Sequence, residues 1–129
     1  MPVVRQLSIF LANKPGVLGR LCRTFAEYDI NIQAISVSDT VDHAVVRLVT
    51  SNPAKARGLL EDAGVLVVDT DVLALSLPDK PGALAALAQK LARAKINIEY
   101  SYGTTGGKDG VFIVRVSDIK RAKKLLKIK

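Results

Sequence analysis

The residues of this chain that could do covalent or metal chemistry are few and scattered. Cys22 is the only cysteine and His43 the only histidine. A nucleophile needs a base within hydrogen-bond reach, and a metal needs several donors converging on one point. Cys22 falls on an apolar helical face with Leu18, Leu21 and Phe25 and reads as core filler. His43 falls in a polar hairpin connection and reads as solvent-exposed. No catalytic residue, metal ligand or cofactor is therefore expected, and the protein is not expected to be an enzyme. What the chain does repeat is a polar corner. Ala12-Asn13-Lys14-Pro15-Gly16-Val17-Leu18 returns 66 residues later as Pro78-Asp79-Lys80-Pro81-Gly82-Ala83-Leu84. Both copies stand between an alternating apolar run and a helical pattern, so each is a strand-to-helix turn. Such a corner is either turn chemistry alone or also a binding site.

The elements that position these corners repeat with them. At the 66-residue offset, Leu7, Ile9 and Leu11 fall on Leu73, Leu75 and Leu77, and Ile30-Asn31-Ile32 falls on Ile96-Asn97-Ile98. Ser51, Ala56, Leu59 and Leu60 fall on Ser117, Ala122, Leu125 and Leu126 with no insertion. This is an internal duplication. In the first copy Val3–Leu11 alternates as a half-buried strand. Pro15 suits the first position of the helix that follows, and Asn13 stands where a cap or turn residue belongs. Strands are expected at Ile30–Ser38 and Ala44–Thr50, and a helix capped by Asn52 ends before Gly64. A short fourth strand follows at Val65–Val68.

The second copy repeats the order with a strand at Val72–Leu77, a helix at Ala83–Ala94, and a strand at Ile96–Tyr102. A glycine-rich loop at Gly103–Gly110, a strand at Val111–Val116 and a last helix capped by Ser117 or Asp118 complete it. It lacks the counterpart of Val65–Val68. The order β-α-β-β-α-β implies an antiparallel sheet with two helices on one face, the ferredoxin-like arrangement. The fold class expected is thus α+β, two such units in tandem over residues 1–69 and 70–129, the second without its last strand. That leaves a sheet edge beside Val72–Leu77, which another chain or part of the first copy should cover.

Bulk composition narrows the class further. With 129 residues, 49% hydrophobic and 24% charged, the chain has ordinary globular composition. A single cysteine forms no intrachain disulfide and fits a reducing compartment. No charged-then-apolar leader opens the sequence and no apolar run approaches the ~20 residues that span a bilayer, so a soluble, cytoplasmic protein with no membrane partner is expected. The net charge is +7, of which residues 67–129 carry +6. Much of that excess sits in Lys120, Arg121, Lys123, Lys124, Lys127 and Lys129 on the last helix and its end, a solvated face.

A ferredoxin-like unit that carries Asn-Lys-Pro-Gly-Val-Leu after its first strand and Ile-Asn-Ile at its second resembles an ACT domain. The second copy, with Asp-Lys-Pro-Gly-Ala-Leu and Ile-Asn-Ile, resembles another, and together they span the chain, as in stand-alone tandem ACT proteins. The resemblance implies a regulatory module that binds an amino acid at the interface between two domains and acts on amino-acid metabolism. It also implies the site residues. Asn13, Lys14, Pro15 and Gly16 would face Asn97, while Asp79, Lys80, Pro81 and Gly82 would face Asn31. Helix-start N–H groups suit the ligand's carboxylate, and an Asn or Asp oxygen can accept from its ammonium. Asp79 opposite Asn13 makes the two corners unequal. Leu11 and Leu77 stand where serine-binding members carry a histidine, a departure that argues against serine. A homodimer is expected, with a metabolic enzyme as a further partner.

Two other classes compete. A ligand-free assembly or regulatory subunit of a biosynthetic enzyme would use the same turns for structure alone. RNA-recognition modules share the fold, but they stack bases on aromatics of the two central strands. Here the first strands offer only Phe10 and the third strands only Phe112, so nucleic acid is not expected as a partner.

Overall fold

The computed structural model describes residues 3–12, 14–39, 43–105 and 109–127. The elements are β1 (Val3–Ala12), α1 (Val17–Glu27), β2 (Ile32–Asp39), β3 (His43–Thr50), α2 (Pro53–Asp62), β4 (Val67–Pro78), α3 (Ala83–Arg93), β5 (Ile98–Thr105), β6 (Asp109–Val116) and α4 (Ile119–Leu125). Among the described residues no helix is long and apolar enough to cross a membrane.

The chain divides into two compact units, Arg5–Thr70 and Met1–Val4 together with Asp71–Lys129. In the first unit the strand order is β2-β3-β1-β4, with β1–β3 and β2–β3 antiparallel. Alternation decides which side chains go inward. Leu7, Ile9 and Leu11 stand opposite Leu48, Val46 and Ala44, and all six are buried. Phe25 from α1 and Ala56 and Leu60 from α2 close over them, so the helices lie on one face of the sheet. Cys22 is half-buried on α1. Removing a fully buried side chain such as Phe25 would cost about 3–5 kcal/mol.

The second unit repeats this with β4-β6-β5, where β4–β6 and β5–β6 are antiparallel. Leu73, Val114, Val116, Leu87, Leu91 and Ala122 form its core. The strand missing from the second copy is not replaced by a segment of that copy. Val3 and Val4, the start of β1, group with this unit, and Val3 packs against its core.

Several local expectations need correction. The two strands expected at Val65–Val68 and Val72–Leu77 are one continuous strand, β4. The polar Asp69-Thr70-Asp71 run reads as a break, but its groups have partners in extended chain. Asp69 pairs with Arg5 and Arg57, and the Asp71 carbonyl accepts from Arg115 at 3.1 Å. Gly103, assigned to a loop, lies within β5 opposite Phe112. A Cβ there would come within 2.5 Å of Phe112 Cδ1 and 2.6 Å of the Val111 carbonyl oxygen, so glycine permits the close approach. His43, expected in the hairpin tip, is the first residue of β3 and is exposed.

Candidate functional site

The two corners share one geometry. Lys14-Pro15-Gly16-Val17 closes with Val17 N–H donating to the Lys14 carbonyl at 3.4 Å, and Ala83 N–H donates to the Lys80 carbonyl at the same distance. Gly16 has φ 86° and ψ −14°, and Gly82 has φ 89° and ψ −10°. These are the values of the third residue of a type II turn, which needs positive φ, with proline preset before it. Pro15 and Pro81 therefore belong to the turn and not to the first helical position, where the sequence pattern places them. The helices begin one residue after the glycines, at Val17 and Ala83.

The corners differ from the other two helix starts. Asn52 Oδ1 accepts from Lys55 N–H and Asp118 Oδ1 from Arg121 N–H, each at 3.1 Å, so α2 and α4 are capped by side chains. At α1 and α3 no side chain among the described residues caps the start. The first intrahelical bonds there are Arg20 N–H to the Gly16 carbonyl and Ala86 N–H to the Gly82 carbonyl. Two N–H groups per corner, of Leu18 and Gly19 and of Leu84 and Ala85, precede them. They point along the helix axis with the positive end of its dipole.

Lys14, Pro15, Gly16, Asp79, Lys80, Pro81 and Gly82 are all exposed, and Asp79 is not a cap. Asn13 lies outside the described residues. Asn31 and Asn97 are exposed too, and the opposite end of a helix separates each from the corner of its own unit. Eleven residues of α1 or α3 span about 16 Å, beyond the reach of one amino acid. Within one unit, then, the structure does not bring the predicted corner and the predicted asparagine together.

Each asparagine is instead held by its main chain. Asn31 N–H donates to Ser51 Oγ at 2.9 Å, and Ser51 N–H returns a bond to the Asn31 carbonyl at 2.9 Å. Asn97 and Ser117 repeat this at 3.0 and 2.9 Å. The side-chain amides are left facing solvent from a fixed backbone. The sequence carried a signal for this, since Ser51 and Ser117 match at the repeat offset. A second repeated device joins basic residues that also match at the offset: Lys55 Nζ donates to the Tyr28 carbonyl at 2.8 Å and Arg121 Nη2 to the Ala94 carbonyl at 2.6 Å. Both cations sit at the negative end of the preceding helix.

The chain belongs to the ACT domain family: residues 2–129 match the family model of the ACT domain pair. A crystal structure of a protein from Bacteroides thetaiotaomicron is 34% identical, with a TM-score of 0.93 over 97% of this chain and 87% of that one. The ligand-free regulatory subunit of aspartate kinase from Thermus thermophilus shares the fold at 17% identity and a TM-score of 0.74, over 98% of this chain and 93% of that one. The corresponding subunit from Thermus flavus does so at 18% identity and a TM-score of 0.63, over 98% and 94%. No curated protein matches the sequence. The tandem of ferredoxin-like units expected from the repeat is thus the architecture of an ACT pair.

Proposed function

We infer that this ACT pair is a cytoplasmic regulatory protein that senses a free amino acid and modulates amino-acid metabolism. The observation that carries the reading is the contrast among helix starts in one chain. Two are capped by the side chains of Asn52 and Asp118, while among the described residues no side chain caps the two that follow the Pro-Gly corners. Those groups suit the ligand carboxylate. Asn13 and Asp79 are placed in sequence to accept from its ammonium, and Lys14 and Lys80 add positive charge beside the carboxylate. Asn31 or Asn97 would complete the site from a unit other than the one that supplies the corner, because α1 and α3 are too long for one unit to do both. Likeness in fold to regulatory subunits of aspartate kinase supports a metabolic enzyme as partner.

Isothermal titration of the full chain against the twenty amino acids tests the reading. One or a few should bind with Kd at or below about 1 mM, an affinity near 4 kcal/mol. Asn13→Ala and Asp79→Ala should weaken binding unequally, the aspartate more, since its bond to an ammonium is charge-assisted. If none of the twenty binds at that level, the chain is an assembly subunit and the sensor reading fails.

A further inference from the structure

The two units differ at one place where their frames are otherwise alike. In the first unit Lys55 reaches the carbonyl that ends α1, and its Nζ lies 5.7 Å from the centroid of the Tyr28 ring. In the second unit Arg121 reaches the equivalent carbonyl, of Ala94, so its guanidinium is fixed by the same anchor. Alanine supplies no ring there. A groove of about 330 Å³ is found instead, lined by Ala94, Ile96, Arg121, Lys124 and Leu125. The repeat offset places these five on Tyr28, Ile30, Lys55, Gly58 and Leu59. So where the first unit carries an exposed aromatic ring and a glycine, the second carries alanine and an added cation, Lys124. Among the described residues neither Arg121 nor Lys124 pairs with a carboxylate.

We propose that this groove binds a small anionic aromatic molecule, a single ring bearing a carboxylate or a phosphate. The first unit shows what this frame accommodates, a flat ring beside a cation anchored on a helix-ending carbonyl. The half-buried Ala94 and Leu125 offer apolar surface for a ring above the buried Ile96, and Arg121 offers a planar guanidinium to its face. Lys124, exposed and without an acidic partner, meets the anionic group. The site is independent of the amino-acid reading, since none of its residues belongs to the corners or to the asparagine positions.

Amide chemical-shift titration of the full chain with benzoate, phenyl phosphate, cyclohexanecarboxylate and benzamide tests it. Benzoate or phenyl phosphate should shift Ala94, Ile96, Lys124 and Leu125, and whichever binds more tightly identifies the anionic group. Cyclohexanecarboxylate, which has charge without a ring face, and benzamide, which has a ring without charge, should each bind about five- to tenfold more weakly. Ala94→Tyr, which copies Tyr28, should fill the groove and remove the response while the remaining spectrum stays dispersed. Lys124→Gly should weaken it. The converse pair Tyr28→Ala with Gly58→Lys should create a second response at Ile30 and Leu59. The proposal is overturned if neither aromatic anion shifts these amides at about 10 mM, if cyclohexanecarboxylate binds as well as benzoate, or if Ala94→Tyr binds undiminished.

Discussion

Asn31 and Ser51, twenty residues apart, are locked by a reciprocal pair of hydrogen bonds, each 2.9 Å long. The serine hydroxyl accepts the Asn31 N–H, and the serine N–H donates to the Asn31 carbonyl. This ties the entry to β2 to the end of β3, and Asn97 and Ser117 do the same before β5 and after β6. Serine is suited to the task because one short hydroxyl reaches a neighbouring main chain with little rotamer freedom to lose.

Ser51→Ala keeps the main-chain half of the lock and removes the hydroxyl half. The Asn31 N–H loses its protein acceptor at a site water can reach, so the cost should be about 1 kcal/mol, read from the urea midpoint at unchanged slope. Ser117→Ala should cost about the same. A loss above roughly 3 kcal/mol would mean the hydroxyl also supports the core, beyond what one exposed hydrogen bond can do.

The ends of α1 and α3 offer the opposite change. Asp29 and Lys95 follow the helix caps with φ 59° and 58°. Asp29 N–H donates to the Ala26 carbonyl and Ile30 N–H to the Phe25 carbonyl, and Lys95 and Ile96 repeat the pattern to Ala92 and Leu91. This is the Schellman arrangement, in which the left-handed residue is usually glycine, and α2 does use Gly64 there at φ 78°. Asp29→Gly and Lys95→Gly should each stabilise by roughly 0.5–1 kcal/mol, the relieved strain outweighing the added chain entropy. Thermal unfolding should show a rise of a few degrees.

Gly16, Gly82 and Gly103 are all needed, for two different reasons. At Gly16 and Gly82 an added Cβ would have nothing within 4 Å, so alanine meets only the backbone penalty of positive φ, about 1–2 kcal/mol. At Gly103 the conformation is ordinary and the space is taken by Phe112 Cδ1 and the Val111 carbonyl. Gly103→Ala should therefore cost more, about 2–4 kcal/mol, because strand backbone must move. Phe112→Leu should rescue it only in part, since the carbonyl contact stays. Denaturant unfolding of the three variants orders the costs.

How much of this was legible in the residues depends on the range of the interaction. Leu7, Ile9 and Leu11 alternate, and Leu18, Leu21 and Phe25 step by three and four, so strands, helices and the tandem order followed from local period and the 66-residue offset. Asn52 with Pro53 marked a helix start because capping is local. The corners are legible as turns, but the local pattern puts Pro15 at the first helical position. Only the φ of Gly16 shows that the turn is complete before the helix begins. The Tyr28–Lys55 and Ala94–Arg121 contacts join residues 27 apart across two helices, which no period reports. The same holds for Val3, whose alternation shows a strand but not which unit's core receives it.

Asp69 shows most plainly why β4 escaped the pattern, and it carries the last prediction. An acid between two apolar runs reads as a linker, yet in β4 it pairs with Arg57 and with Arg5, the latter at 3.4 Å, while Arg57 also meets Glu61 at 3.2 Å. Arg5 stands on the side of β1 that carries Leu7, Ile9 and Leu11, and this pairing gives it a partner. The side chain of Asp69 is 27% exposed, so the cluster is only partly screened by water. Asp69→Asn keeps the shape and removes the charge that two arginines share. It should cost about 1–2 kcal/mol at low ionic strength, above the median for an isolated surface pair because one carboxylate serves two guanidinium groups. At 1 M NaCl, where the screening length falls to about 3 Å, the difference from the native chain should shrink to a few tenths of a kcal/mol. If the cost is the same in both salts, Asp69 acts through hydrogen-bond geometry and not through charge, and β4 is continuous for another reason.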